Sequence, residues 1–130
     1  MKNAILLVSK DFEFHKKIKN TLEENGYEVL SSDNQKESEN IIRKLKPDLA
    51  IFDLMLENED SGFVLGYMCK KLYPKSQVII AAPSSILTGV PYGYVDDEKR
   101  TWINADFLMN KEVSEENLMN IIENLLERSK

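Results

Sequence analysis

Short apolar runs alternate with amphipathic segments of about 13 residues along most of the chain, and this alternation limits the possible folds more than any other feature. The runs indicate buried strands, because their apolar residues follow one another without polar interruption. The amphipathic segments repeat their apolar residues every three or four positions, which is the period of a helix. Five strands are predicted, at residues 4–8, 27–30, 48–52, 77–82 and 106–110.

Helices are predicted between most of these strands and after the last one. They cover 11–25, a second segment that Pro47 terminates, 62–73, and a final segment that Ser114 caps. The second helix is predicted to bury Ile41, Ile42 and Leu45. Apolar strands joined by helices imply a parallel sheet covered on both faces, and right-handed crossovers favour doubly wound topology. The predicted fold is therefore a single α/β domain over residues 1–130, with five parallel strands.

Composition narrows the classes of function. The chain has 130 residues, of which 42% are hydrophobic and 30% charged, as in an ordinary globular domain. A net charge of −5 without a basic stripe argues against direct binding of nucleic acid. No apolar run approaches the roughly 18 residues of a membrane span, and no signal-peptide pattern opens the chain. We therefore expect a cytoplasmic protein without membrane attachment.

One stretch breaks the alternation. Residues 83–104 separate the last two predicted strands and contain Tyr92, Tyr94 and Trp102. A structureless loop of this length would be unusual inside a compact domain. Either a short helix forms over residues 98–102, or the stretch is a lid or docking surface. We predict that its three aromatic residues form a surface for a protein partner.

Asp53 stands directly after the third apolar run. Open α/β sheets place their reactive groups at the carboxyl ends of their strands. Because burying a lone carboxylate is costly, an aspartate kept at such a position usually has a partner or a task. Lys111 follows the last predicted strand, so it should lie at the same edge of the sheet. The two residues together indicate phosphoryl chemistry on a small signalling domain.

The chain resembles the receiver domains of two-component response regulators, of the CheY-like, flavodoxin-like type, over essentially its full length. The resemblance rests on residues 47–56 with the following Gly62 and Phe63, and on residues 105–111. It implies that Asp53 accepts a phosphoryl group from a sensor histidine kinase or phosphotransfer protein, and that Lys111 contacts a phosphoryl oxygen. It also implies a downstream protein partner. No enzyme motif argues for a separate catalytic activity.

The chain departs from this family at the residues that hold Mg²⁺. The family's acidic pair after the first strand is replaced by Ser9 and Lys10. One carboxylate, Asp53, then faces two lysines, Lys10 and Lys111, for a net charge of +1. A pocket of that sign has little reason to hold a divalent cation, and Lys10 could pair with Asp53 directly. Mg²⁺ is therefore predicted to bind weakly or not at all.

Other oxygen ligands could still rescue a metal site. The resemblance leaves Asp53, Asp11 and the backbone carbonyl of Met55 as the best candidates. Asp11 could turn toward Asp53, although it is also placed to cap the first helix. Glu57 or Glu59 of the following loop could supply another carboxylate, although both suit a solvated loop.

The family's switching residues are also missing. The hydroxyl residue that ends the fourth strand falls on Ala82, or alternatively on Ala81, and the aromatic of the last strand falls on Leu108. Two alternatives to a phosphorylated receiver therefore stay open. One is a pseudo-receiver that acts as a phosphorylation-independent interaction module. The other is a flavodoxin-like domain that binds a small anionic ligand at the strand ends.

Overall fold

The computed structural model describes residues 3–83 and 92–129. Its strands are β1 (Ala4–Val8), β2 (Glu28–Ser32), β3 (Leu49–Asp53), β4 (Gln77–Ala82), β5 (Gly93–Tyr94) and β6 (Phe107–Asn110). Its helices are α1 (Phe12–Glu24), α2 (Gln35–Lys44), α3 (Ser61–Leu72) and α4 (Glu115–Arg128), with one 3₁₀ turn at Lys99–Thr101. None of the described helices is long and apolar enough to cross a membrane.

The strands form one sheet in the order β2-β1-β3-β4-β6-β5. Every pairing among β1, β2, β3, β4 and β6 is parallel, which confirms the predicted five-stranded parallel sheet. The sequence did not predict β5, which adds two residues antiparallel to β6 at the edge of the sheet. Two residues are too few to show an alternating pattern, so this strand leaves no periodic signal.

Successive residues of the central strands point to opposite faces of the sheet and feed two separate cores. On one face, Ile51 and Ile79 pack with the apolar sides of α1 and α4. On the other, Phe52 and Ile80 pack with residues of α2 and α3, including the buried Cys69. The helices therefore cover both faces, as a doubly wound topology requires.

Two local predictions need correction. Leu45 does not belong to the apolar face of α2, because it follows the last helical residue and is 52% exposed. The helix predicted at 98–102 is only the 3₁₀ turn at Lys99–Thr101. Residues 84–91 of the predicted lid or docking stretch lie outside the described part of the chain.

Segment 92–104, the described part of that stretch, lies directly against α3. A methyl group at Gly66 would come within 2.5 Å of the Asn104 carbonyl oxygen. Glycine therefore permits the backbone of the segment to approach the helix.

Candidate functional site

The carboxyl edge of the parallel sheet brings three polar side chains together. Asp53 is the last residue of β3, Ser9 follows β1, and Lys111 follows β6. Ser9 and Asp53 are 2% and 4% exposed, so a polar pair lies almost fully inside the protein. Because the three strands run parallel, their ends meet at one edge, as the sequence predicted for Asp53 and Lys111.

Asp53 receives both of its described hydrogen bonds on one oxygen. The Ser9 hydroxyl donates to Oδ2 over 2.8 Å, and the Lys111 ammonium donates to the same atom over 2.8 Å. Within residues 3–83 and 92–129, no hydrogen bond reaches Oδ1. The contacts therefore fix the orientation of the carboxylate and leave Oδ1 without a donor among the described residues.

Lys111 lies between two carboxylates and an aromatic ring. Its Nζ is 2.8 Å from Asp53 Oδ2, 3.0 Å from Asp11 Oδ2 and 5.0 Å from the centre of the Phe14 ring. Burial lowers the pKa of Lys111, but its hydrogen bonds to Asp53 and Asp11 and their negative charges outweigh that effect and raise it. The ammonium therefore stays charged over the whole neutral range.

Asp11 has two roles. Its Oδ1 accepts the backbone N–H of Phe14 and caps α1, while its Oδ2 accepts Lys111. The hydrogen bond from Lys111, followed by that from Phe14, lowers the pKa of Asp11 below its ordinary value. Asp11 therefore both caps α1 and faces the site, so the two possibilities that the sequence left open for it are compatible. It is connected to Asp53 through Lys111, which contacts both carboxylates.

Ser9 is fixed on several sides. Its hydroxyl accepts the backbone N–H of Asp11 over 3.0 Å while it donates to Asp53. Its backbone N–H donates to the Ser32 carbonyl of the neighbouring strand, and its own carbonyl lies 3.1 Å from His15 Nδ1. These contacts hold the Ser9 hydroxyl against the Asp53 carboxylate without help from an exposed side chain.

The expected pairing of Lys10 with Asp53 is wrong. Lys10 is exposed, whereas Ser9, one position earlier, points into the site. Successive residues at a strand end point to opposite sides, so only one of the two can face Asp53. The charges at the site are those of Asp53, Asp11 and Lys111, one cation against two carboxylates, which gives −1 and not +1.

Among the described residues, this edge offers a Mg²⁺ ion two carboxylates, those of Asp53 and Asp11, and both are already paired with Lys111. No group of three or more metal-binding side chains occurs among the described residues. Glu57 does not reach the site, because its carboxylate accepts the Gln35 backbone N–H at the start of α2. Glu59 and Met55 lie in the exposed loop after β3, and Met55 would offer only its backbone carbonyl. Asp53 and Asp11 both share Lys111, so an ammonium group takes the place between the carboxylates where a metal would be useful.

The end of β4 carries no hydroxyl of its own, but a tyrosine brings one there. The carbonyl of Ala82 accepts the backbone N–H of Lys111 over 3.1 Å and the hydroxyl of Tyr92 over 3.0 Å. Leu108 is buried at the family's aromatic position, while Phe107 packs toward the opposite core. The sequence placed Tyr92 on a partner surface and did not predict this contact, for which no short motif exists.

An open cleft of about 690 Å³ borders Lys111. It is lined by Asp11, Glu13, Phe14, Lys17, Pro83, Lys111 and Glu112. The cleft therefore opens beside Lys111 and Asp11, the two charged residues that connect Asp53 to the surface.

A second buried aspartate, Asp106, lies at the opposite end of the sheet, where β6 begins. Its Oδ2 accepts Lys70 Nζ over 3.0 Å and the Val78 backbone N–H over 2.8 Å, and its Oδ1 pairs with Arg100 over 3.1 Å. Both oxygens are occupied, and the two cations come from α3 and from the 3₁₀ turn. This group, which we call the Asp106 cluster, joins segment 92–104 to the body of the domain.

No family model matches the chain, and no curated protein matches it. Among solved structures, it is similar to a CheY-like response regulator receiver domain protein from Methanospirillum hungatei, with 25% identity, a TM-score of 0.79, and coverage of 99% of this chain and 97% of that one. A receiver domain protein from Clostridium thermocellum gives 23% identity, a TM-score of 0.79 and coverage of 97% and 95%. The BeF3-activated DrrB receiver domain gives 22% identity, a TM-score of 0.76, and coverage of 98% of this chain and 99% of that one. The chain thus has the CheY-like receiver fold in a divergent sequence, which confirms the resemblance.

Proposed function

We propose that this divergent receiver domain works in phosphorelay signal transduction and accepts a phosphoryl group on Asp53. The donor is a phosphohistidine of a sensor histidine kinase or phosphotransfer protein, and the output is contact with a downstream protein. One observation carries the proposal: Ser9 and Lys111 both hold Oδ2 of a buried aspartate at the strand end, and no described donor reaches Oδ1. The receiver folds named above support the same role.

The residues present suit a transfer that needs little covalent help. Oδ1 of Asp53 attacks phosphorus, the bond from phosphorus to the donor's imidazole nitrogen breaks, and its electron pair stays on the imidazole. Such transition states are loose, and catalysis rests on positioning and on neutralising the phosphoryl oxygens. Ser9 keeps the carboxylate oriented, and the charged Lys111 turns toward the new oxygens.

Mg²⁺ is proposed to contribute little to this transfer. The family's acidic pair is Ser9 and Lys10 here, and Lys10 is exposed. Changing both residues to aspartate should create tighter Mg²⁺ binding, because oxygen ligands and negative charge then enter together. Titration calorimetry on wild type and on Ser9→Asp/Lys10→Asp checks this, and equally tight binding by both would contradict it.

Treatment with acetyl phosphate, followed by intact-mass measurement, tests the function. Wild type should gain one phosphoryl group both with excess Mg²⁺ and with EDTA, whereas Asp53→Asn should gain none. Asn keeps the shape of the side chain and can still accept from Ser9 and Lys111, so it is a matched control. An adduct of equal yield on Asp53→Asn would refute Asp53 as the acceptor.

A pseudo-receiver is the second candidate, and the position of Lys111 favours it. The ammonium already contacts Asp53, Asp11 and the Phe14 ring, so the site is electrostatically satisfied without phosphate. If wild type gains no mass with acetyl phosphate in either buffer, this reading replaces the first.

The downstream partner is proposed to bind segment 92–104. Tyr94 and Trp102 are 50% and 59% exposed, and Tyr92 connects the segment to Ala82 beside Lys111. Exposed aromatic residues are common anchors of protein interfaces. Trp102 fluorescence should change more on adding the partner than on adding acetyl phosphate; a full change with acetyl phosphate alone would argue against the segment as docking surface.

A further inference from the structure

Helix α3 has a surface unlike those of the other described helices. Residues 61–69 contain no charged side chain, in a chain of which 30% of residues are charged. Even so, Val64 and Tyr67 on this helix are 40% and 52% exposed. A helix that is apolar on its outer side as well as its inner side is usually covered by something.

Asp60, which precedes α3, and three exposed residues of α3 form one stripe with opposite charges at its two ends. Asp60, Val64, Tyr67 and Lys71 follow one another at spacings of four, three and four, and all four are exposed. This is the spacing with which helices pack side by side. The acidic end is reinforced by Glu59.

The two charged ends are too far apart to neutralise each other within one molecule. Lys71 comes eleven positions after Asp60, so the ends lie about 16 Å apart at a rise of about 1.5 Å per residue. That exceeds the screening length of about 10 Å at moderate salt. Lys71 lies over the Tyr67 ring at 5.6 Å, which places the cation at the edge of the apolar patch.

The stripe is complementary to itself when a second helix runs the opposite way. The midpoint between Asp60 and Lys71 is also the midpoint between Val64 and Tyr67. A twofold axis through this point therefore sets Asp60 against Lys71 of the other copy and Val64 against Tyr67 of the other copy. Such an interface closes on itself, and the antiparallel helix dipoles attract as well.

We propose that a second copy of this chain packs on α3 as an antiparallel, twofold-symmetric pair. The contact uses one helix from each copy, so it is smaller than a standard stable interface and associates only at high protein concentration. The pairing does not involve Asp53 directly, so its test is independent of phosphoryl transfer. Asp53→Asn should therefore associate like wild type.

Charge-reversed variants test the pairing by sedimentation velocity at protein concentrations up to about 1 mM. Asp60→Lys places two lysines at each contact, and Lys71→Asp places two aspartates there, so each variant alone should stay monomeric. An equimolar mixture of the two variants should associate, because both contacts are then between opposite charges. Asp60 makes no side-chain cap bond, so its replacement should leave the start of α3 intact, and circular dichroism of each variant checks this.

A matched aromatic pair tests the apolar centre. Tyr67→Asp should weaken association by about tenfold or more, since it places a charge in the middle of the contact. Tyr94→Asp changes an equally exposed tyrosine elsewhere and should leave association unchanged. The proposal is overturned if wild type stays monomeric throughout, if the mixture of charge variants stays monomeric, or if Tyr94→Asp dissociates the pair while Tyr67→Asp does not.

Discussion

Two buried aspartates lie at opposite ends of the sheet, and their surroundings differ. Asp53, 4% exposed, receives a hydroxyl and one ammonium on a single oxygen. Asp106, 1% exposed, receives an ammonium, a guanidinium and a backbone N–H, shared over both oxygens. Burial alone therefore does not distinguish the two aspartates, but the distribution of donors over their two oxygens does.

The cations of the two sites lead to the same distinction. Lys70 and Arg100 both form salt bridges with Asp106, so this aspartate is paired twice and stabilises segment 92–104 against α3. Lys111 is instead divided between Asp53 and Asp11, so it can move toward a phosphoryl group without leaving every partner. The salt bridges of Asp106 therefore resist rearrangement, whereas the shared Lys111 can move.

The largest expected effect is on stability at the Asp106 cluster. Asp106→Ala leaves two cations and a backbone N–H without their acceptor, and should lower the free energy of unfolding by about 3 kcal/mol or more. Asp53→Ala should cost about 1 kcal/mol, because Lys111 keeps Asp11. Urea unfolding followed by circular dichroism checks both, and a larger loss for Asp53→Ala would reverse the assignment of roles.

Substitutions at two glycines of α3 test the comparison between the two ends of the sheet, because each glycine lies against the backbone at one end. A methyl group at Gly62 would lie 2.7 Å from Leu54 Cα and 2.9 Å from the Asp53 carbonyl oxygen, and one at Gly66 would lie 2.5 Å from the Asn104 carbonyl oxygen. Each alanine should cost about 1–3 kcal/mol of unfolding free energy by overpacking. Only Gly62→Ala should also slow phosphorylation by acetyl phosphate; equal slowing by Gly66→Ala would show that the two ends are coupled.

A smaller effect is expected when the hydroxyl on Asp53 is removed. Ser9→Ala takes away one of the two donors to Oδ2 and should cost about 1 kcal/mol of unfolding free energy. Phosphorylation should slow as well, because the carboxylate is then held by Lys111 alone. Ser9→Thr restores a hydroxyl and should recover part of the rate; if Ser9→Ala reacts as fast as wild type, the hydroxyl does not orient Asp53.

The smallest effect concerns pH. The lowered pKa of Asp11 adds stability that is present above its ordinary value of 3.8 and is lost as pH falls through the lower folded value. The raised pKa of Lys111 adds stability that is present below 10.5 and is lost as pH rises through the higher folded value. Because Asp11 is well exposed, Asp11→Asn should flatten the acid limb by only about 0.5 kcal/mol. Urea midpoints between about pH 2.5 and 5 measure this, and an unchanged acid limb would contradict it.

The sequence predicted the Asp53 end of the sheet better than the Asp106 end. Asp53 and Lys111 each follow an apolar run, and parallel strands bring such positions together, so their proximity was predicted and is confirmed at 2.8 Å. The inward direction of Ser9 and the outward direction of Lys10 were not predicted, because the exact end of a strand decides them.

The Asp106 cluster left no such signal. Lys70 and Asp106 are 36 residues apart, and Arg100 belongs to a stretch without periodicity. Their meeting depends on how segment 92–104 lies against α3, which only the folded chain determines. For the same reason the hydroxyl of Tyr92 at Ala82 was not predicted.

The central claim is that Asp53, whose Oδ1 receives no hydrogen bond from the described residues, reacts with a phosphoryl donor and that the fully paired Asp106 does not. Peptide mapping by mass spectrometry of wild-type protein treated with acetyl phosphate tests it most directly. We predict one phosphoryl group, on the peptide that contains Asp53, and none on the peptide that contains Asp106. A phosphoryl group on Asp106, or none on either peptide, would contradict the account.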